Sequence, residues 1–327
     1  MPEAMQRATA WINDSSRKAM LSTIGVGTVD QAMLAALYSR FSTLRLDGMA
    51  SRALVIDEVH AYDPYMTKIL AKLVEMHARG GGSVILLSAT MPLAVRETFS
   101  HAWGQGREQP PPAFTGTAFP LISFAGNGKV IQHEPTSYRQ KTYQVERLHE
   151  LVKVVDVIRQ AASMGRCVCW LRNSVQEAVE GFELLRNLGL DVDLFHARFT
   201  AGDRQDIEER VLTRFGKKST AVERCGKVLV STQVVEQSLD LDFDLLVSDL
   251  APVDLMIQRA GRLHRHDRGD RGPTRLVVYC PEDKSPDADW IPTWSRATSL
   301  VYPDHGRLWL SLKVLGDSFS MPADARR

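Results

Sequence analysis

Asp57-Glu58-Val59-His60 follows directly on the apolar run Leu54-Val55-Ile56. Consecutive apolar residues ending in two acids read as a parallel strand buried on both faces, one that delivers its carboxylates at the C-terminal edge of a sheet. Ligands collect at that edge in open α/β sheets. A carboxylate placed there suits Mg²⁺, which takes few protein carboxylates, often through water, and keeps substrate phosphates as its other ligands. Asp57 and Glu58 are therefore candidate metal-site residues, Glu58 is placed to polarise an attacking water, and His60 completes the set. The same tetrad also reads as a plain acidic turn after a strand.

Two further sets lie downstream. Ser88-Ala89-Thr90 ends the apolar run 84–87, which puts Ser88 and Thr90 on the same predicted sheet edge as Asp57. Their hydroxyls can couple two ligand sites through hydrogen bonds, although such a triplet alone is a weak signal. The third set is Gln258-Arg259-Ala260-Gly261-Arg262-Leu263-His264-Arg265. Arginines three apart share one helical face, and guanidinium forks bond phosphate oxygens bidentately at any physiological pH. Arg262 and Arg265 can thus stabilise charge developing in phosphoryl transfer, with Gln258 orienting water. A solvated basic helix end has a similar composition.

The elements that must position these residues follow from the apolar pattern. Runs at 53–56 and 83–87 flank a helix over 64–78, whose start is marked by Asp63 as N-cap and Pro64 at the first helical position. That is a βαβ unit, right-handed by default. Residues 24–27 read as another short strand, followed by a helix containing Met33, Leu34 and Leu37. Composition then turns to Pro, Gly, Thr and Gln over 104–143, with one strand near 119–124, which suggests a closing strand and a linker. A second alternation runs from 143 to 280, with strands at 143–148, 167–171, 192–195, 227–231, 245–248 and 276–280, and intervening helices that include one over 254–262. The predicted organisation is α/β, with two doubly wound parallel-sheet domains: an incomplete first over 1–125, a linker over 126–143, a second over 144–280, and a linker with the start of a further region over 281–327.

Bulk composition agrees with a folded, two-domain chain. With 327 residues, 44% hydrophobic and 24% charged, it is neither disordered nor fibrous. A formal net charge of +1 leaves no whole surface for polyanions, so nucleic-acid binding has to rest on a local cluster. Residues 259–271 supply one, with five arginines and two histidines. No apolar stretch matches a membrane span and the N-terminus lacks a signal-peptide layout, so a cytoplasmic location is expected. The four cysteines fit it, Cys167 and Cys169 alternating in a strand rather than spaced as zinc ligands.

The order of DEVH, SAT, the segment STQVVEQSLDLDFD at 231–244 and QRAGRLHR resembles the paired RecA-like motor domains of superfamily-two DExH helicases, which are of the P-loop NTPase type. Gly27-Thr28-Val29-Asp30-Gln31, His60-Ala61-Tyr62-Asp63 and Glu236-Gln237-Ser238-Leu239-Asp240 narrow the resemblance to the helicase-nuclease of type I CRISPR interference systems, over about residues 11–280. It implies ATP-driven translocation on single-stranded DNA in antiviral defence, with ATP and Mg²⁺ as cofactors and the RNA-guided surveillance complex as partner. It also implies nucleic-acid contacts at Thr28, Gln31, Arg198 in the Phe195-His196-Ala197-Arg198 turn, and Thr232. Asp240 matches a position that reaches the nucleotide ribose or supports the arginines.

One part of that pattern is missing. A helicase of this kind needs GxxxxGKS/T, whose backbone N–H groups and lysine cradle phosphates, and the sequence contains none; Gly216-Lys217-Lys218-Ser219-Thr220 lacks the upstream glycine. His266-Asp267 repeats the dipeptide of the family's metal nuclease without its further ligands. The expectation is an ATP hydrolase by resemblance whose isolated chain hydrolyses no ATP. It would be completed by a separate chain bearing the phosphate loop and nuclease, or would act as a non-hydrolysing DNA-binding or interaction module, or be the product of a broken gene.

Overall fold

The computed structural model describes residues 18–89, 91–126, 128–135, 140–236, 239–282 and 286–325. The chain divides into two compact units, residues 1–138 and 139–327.

In the first unit, β1 (Ala53–Ile56) and β2 (Ser83–Leu86) pair in parallel, with Ile56 opposite Leu86. The helix Pro64–Arg79 joins them. Its start is fixed as the sequence predicts, since the Asp63 carboxylate accepts the Met66 N–H at 2.7 Å and Pro64 opens the first turn. Leu70, Leu73 and Val74 face inward, at helical spacing, and form a core with Met33, Met49, Ile56 and Phe99. The helix Leu93–Arg107 packs so closely on this one that a Cβ at Gly106 would sit 2.2 Å from the Glu75 carbonyl.

The expectation that the Asp57 strand is buried on both faces is not met. Side chains alternate across a strand, and Val55 (55% exposed), Ile85 (48%) and Leu87 (46%) present a bare apolar face beside the covered one. Among the described residues this sheet has two strands, so a single helical layer serves it. Residues 24–27 form no strand. The expected strand near 119–124 falls at β3 (Ile122–Gly126), hairpin-paired with β4 (Lys129–His133).

The second unit is built on a seven-stranded sheet in the order β11-β5-β10-β9-β6-β8-β7. β5 (Lys141–Leu148), β6 (Val168–Leu171), β7 (Val192–Phe195), β8 (Val228–Ser231), β9 (Leu245–Asp249) and β10 (Arg275–Tyr279) run parallel, and β11 (Ser318–Met321) pairs antiparallel with β5. Every residue of β6, β8 and β9 is buried, which explains their continuous apolar sequences. Two cores occupy the two faces, one containing Val168 and Trp170, the other Cys167, Cys169 and Leu171. Gly181 lets the helix Val175–Asn187 approach the sheet, since a Cβ there would stand 2.9 Å from the Trp170 ring.

Two stretches differ from the composition-based reading. Residues 126–143, expected as linker, hold β4 and the first residues of β5. Residues 281–327, expected as linker and the start of a further region with a weak helical pattern over 308–315, carry that helix as His305–Leu315, and also the helices Trp290–Trp294 and Arg296–Val301 and the strand β11. Leu308, Leu312 and Leu315 recur at helical spacing and enter the same core as Cys169 and Leu246.

Candidate nucleotide and nucleic-acid site

The turn after β1 is shaped by Glu58, whose φ of 53° lies in the left-handed region. Its N–H donates to Asp57 Oδ1 at 2.9 Å, and the Tyr62 hydroxyl donates to the Asp57 carbonyl at 2.9 Å. Burial, with the charges of Asp57, Asp30 and Glu58, raises the Tyr62 pKa and keeps that donor protonated. Asp57 and Glu58 themselves are exposed beyond the strand edge.

His60 ties this turn to the next strand. Its Nδ1 lies 3.0 Å from Ser88 Oγ and its Nε2 3.4 Å from Glu58 Oε2, with the ring 5% exposed. A Ser88 hydroxyl donating to Nδ1 and an Nε2–H directed at the Glu58 carboxylate satisfy both ring nitrogens in a single tautomer. The β-ladder continues behind them, with Leu87 N donating to Ile56 O and Val59 N to Leu87 O. Thr90 lies outside the described residues. Thr28 precedes the helix Val29–Met33 in extended conformation without using its hydroxyl as a cap, and Gln31 sits on the first turn; both side chains are exposed.

In the second unit the strand ends bring other residues together. Thr232 follows β8 and is only 3% exposed, its N–H donating to the Phe195 carbonyl. The neighbouring turn stacks His196 on Phe199 at 4.1 Å, and His196 Nδ1 accepts the Arg198 N–H. Burial and the Arg198 charge lower the His196 pKa, favouring the neutral ring. Arg198 is exposed and Thr232 is enclosed, so of these two candidates Arg198 is the accessible one.

The arginine octet departs from a single helical face. The helix Val253–Ala260 ends before Arg262, with Gly261 at its C-cap. Gln258 is half-buried on it. Arg259 is fully buried, its Nε donating to Glu236 Oε1 at 2.6 Å and Nη1 to Ser248 Oγ at 2.8 Å. Arg262 is 9% exposed and donates to the Leu239 and Glu236 carbonyls, both at 2.7 Å. Arg265 alone of the three is exposed, bonding Asp240 Oδ1 at 2.7 Å, with His266 Nε2 3.1 Å from the same oxygen. Burial opposes the Asp240 charge, but Arg265 and His266 outweigh it and lower its pKa. Gln237 and Ser238 lie outside the described residues.

A buried polar cluster that no sequence motif marks lies at these strand ends. Asn173 Oδ1 accepts from both Nη atoms of Arg259, its amide donates to the Leu250 carbonyl and Thr298 Oγ1, and Gln233 donates to the Asn173 carbonyl. Arg172 Nε reaches both oxygens of Asp249 at 2.9–3.0 Å. Asp249 is nonetheless pushed up in pKa, since its burial outweighs the Arg172 charge. The available signal was Arg172-Asn173-Ser174 standing directly after an apolar strand.

Residues 164–268 match the family model for the CRISPR-associated nuclease/helicase Cas3 C-terminal region. The CRISPR-associated endonuclease/helicase Cas3 of Escherichia coli K12 is 37% identical over 286 residues, 81% of this chain and 31% of the relative. The chain belongs to the Cas3 family. A crystal structure of T. fusca Cas3 with AMPPNP superposes with a TM-score of 0.85 at 30% identity, covering 96% of this chain and 38% of that one. A chain in a structure entitled CRISPR RNA-guided surveillance complex, pre-nicking, superposes with a TM-score of 0.73 at 28% identity, covering 95% and 43%. The α/β architecture with its parallel-rich sheet is thus the RecA-like fold of Cas3 structures. This chain spans about a third of the length of the curated relative from E. coli.

The residues fit the cofactors unequally. Asp57 presents an exposed carboxylate of the kind Mg²⁺ takes with phosphate oxygens, while Glu58 is turned toward His60. No cluster of three or more His, Cys, Asp or Glu side chains suited to a metal exists among the described residues. The triphosphate cradle does not fit, because this sequence has no glycine-lysine loop to hold β and γ phosphates. Among the described residues no helix is long and apolar enough to cross a membrane.

Proposed function

We propose that this chain is the helicase portion of a Cas3-type CRISPR interference enzyme, one that moves along single-stranded DNA in cooperation with an RNA-guided surveillance complex. The observation that carries the reading is the His60 bridge. It joins the Glu58 carboxylate after β1 to the Ser88 hydroxyl after β2 through two side-chain contacts, a route by which a change at the acidic turn would reach Ser88. The likeness to Cas3 with a bound ATP analogue, and to a chain in a surveillance complex, supports ATP and the RNA-guided complex as its cofactor and partner.

In this reading Asp57 would be the residue to hold Mg²⁺ through water, and Glu58, in contact with His60, would be placed to orient a water. Within the second unit, Arg265 would be the accessible arginine for a phosphate group, while Arg262 and Arg259 fix the loop that carries it. Arg198, Thr28 and Gln31 hold the DNA backbone. Hydrolysis depends on a phosphate loop supplied by another stretch of polypeptide.

The test mixes this chain with the N-terminal portion of a Cas3 relative that bears the phosphate loop, and follows ATP hydrolysis with and without single-stranded DNA. DNA-stimulated turnover in the mixture, lost with Asp57→Asn, is the expected result. A mixture in which the two polypeptides associate but remain inert with DNA overturns the reading.

A further inference from the structure

At the opposite edge of the second unit's sheet lies a half-open cavity of about 440 Å³, lined by Arg166, Arg224, Asp244, Arg268, Asp270 and Arg271 together with small residues. Arg166 precedes β6, Asp244 precedes β9 and Arg271 precedes β10, so the cavity sits at the N-terminal ends of parallel strands. Asn173, Thr232 and Asp249 lie at the C-terminal ends. The cavity therefore lies at the other end of the strands from the Asn173 cluster, although it draws Arg268 and Arg271 from the basic stretch 259–271.

Three of its four arginines already have acidic partners. Arg224, Arg268 and Arg271 converge on the fully buried Asp242, and Arg224 and Arg271 also reach Asp244. Arg268 donates besides to the carbonyls of Gly216, Lys217 and Ser219. Asp270 accepts the Gly272 N–H at 2.9 Å. Arg166 is different: it is half-buried, its Nη1 donates to the Arg271 carbonyl at 3.2 Å, and no carboxylate lies within ion-pair distance of it among the described residues.

A cation without a counter-ion in a concave, arginine-lined site is arranged for an anion. The wall beside Arg166 is kept bare by glycine. Gly165 and Gly272 have φ of 76° and 73°, and the nearest atom to a Cβ built on Gly272 is Arg166 Nη2 itself, at 3.9 Å. Without side chains there, a tetrahedral anion can reach the Arg166 fork, beside the Gly165 and Gly272 N–H groups that donate to the Ala162 carbonyl and to Asp270. We infer that this cavity binds a phosphate group through Arg166, at a second site distinct from the strand-end cluster. The phosphate can come from a nucleic-acid backbone or be free inorganic phosphate, and the chemistry of recognition is shared.

The test follows the amide resonances of Gly165 and Gly272 in the ¹⁵N-labelled full chain, titrated separately with inorganic phosphate and with a deoxythymidine octamer. Both amides are expected to move in at least one titration. Arg166→Ala should weaken that response about tenfold or more, the scale of one lost charge-assisted pair, and Arg166→Lys, which keeps the charge and loses the fork, should weaken it less. Unchanged thermal unfolding of both variants separates this from misfolding. Saturation by the octamer at lower concentration assigns the site to a nucleic-acid backbone, and a response to inorganic phosphate alone assigns it to the free ion. Amides that stay still in both titrations, or shifts that Arg166→Ala leaves intact, overturn the proposal.

Discussion

His60 Nδ1 stands 3.0 Å from Ser88 Oγ, so two segments separated by a whole helix share one imidazole at the edge of a two-stranded parallel sheet. That ring is the contact between the Glu58 carboxylate and the Ser88 hydroxyl. In the chain-plus-fragment mixture, His60→Ala is expected to leave association of the two polypeptides in place and to remove the stimulation of turnover by DNA. Equal stimulation in the wild type and in His60→Ala would show that the bridge transmits nothing.

Purified alone, the chain is expected to show no DNA-stimulated ATP hydrolysis, because nothing in its sequence cradles β and γ phosphates. A coupled-enzyme assay checks this. Robust turnover abolished by Asp57→Asn would sink the expectation.

Arg259 and Glu236 form a buried pair, 0% and 4% exposed in their side chains. Removing one member strands the other in a low-dielectric site, which costs roughly 3–5 kcal/mol. Glu236→Ala should therefore lower the urea midpoint of the second unit strongly. Arg265→Ala, removing an exposed partner of Asp240, should cost about 1 kcal/mol of stability at most and leave the midpoint nearly unchanged.

Acidity should act through Asp242. Burial opposes its charge, but Arg224, Arg268 and Arg271 more than compensate and hold its pKa below the usual carboxylate value. A folded-state pKa below the unfolded one gives stability that is present above the unfolded value, about 3.9, and lost as pH falls through the folded one. Denaturation midpoints measured from neutral pH downward should decline below about pH 4, and Asp242→Asn should flatten that decline.

Binding of single-stranded DNA is expected to weaken steeply with salt, since the exposed Arg198 would act on backbone phosphates. Arg198→Ala should reduce the slope of log affinity against log salt by about 0.7, the value for one phosphate contact on a single strand. Fluorescence anisotropy over a salt series measures it, and an unchanged slope would remove Arg198 from the interface.

Much of this architecture was legible because apolar runs, caps and motif order are local signals. Asp63-Pro64 marks its helix start, and the inner strands β6, β8 and β9 of the second sheet show as largely apolar runs because both faces are covered. The same rule misled at β1, where Leu54-Val55-Ile56 looks doubly buried although Val55 is 55% exposed; sequence cannot say whether a second layer is present to cover a strand. Arginines three apart suggested one helical face, but Gly261 ends the helix and sends Arg259 inward and Arg265 outward. The Asn173 cluster escaped notice because its members come from 172–177, 233–236, 248–259 and 298–302, far apart in sequence. The role of the last stretch depends on contacts that polar, proline-containing composition does not announce.

The pairing of β11 with β5 has a practical consequence. An unpaired outer strand is a template for another chain, and here the C-terminal strand occupies that position from Ser318 to Met321 while Phe319 covers Tyr143 in a ring stack at 4.9 Å. A recombinant boundary drawn after the last family motif, near residue 281, would strip away this selvedge along with the leucines of His305–Leu315. The product would present an open ladder and a gap in its core at once, so the smallest sound version of the second unit extends through Met321.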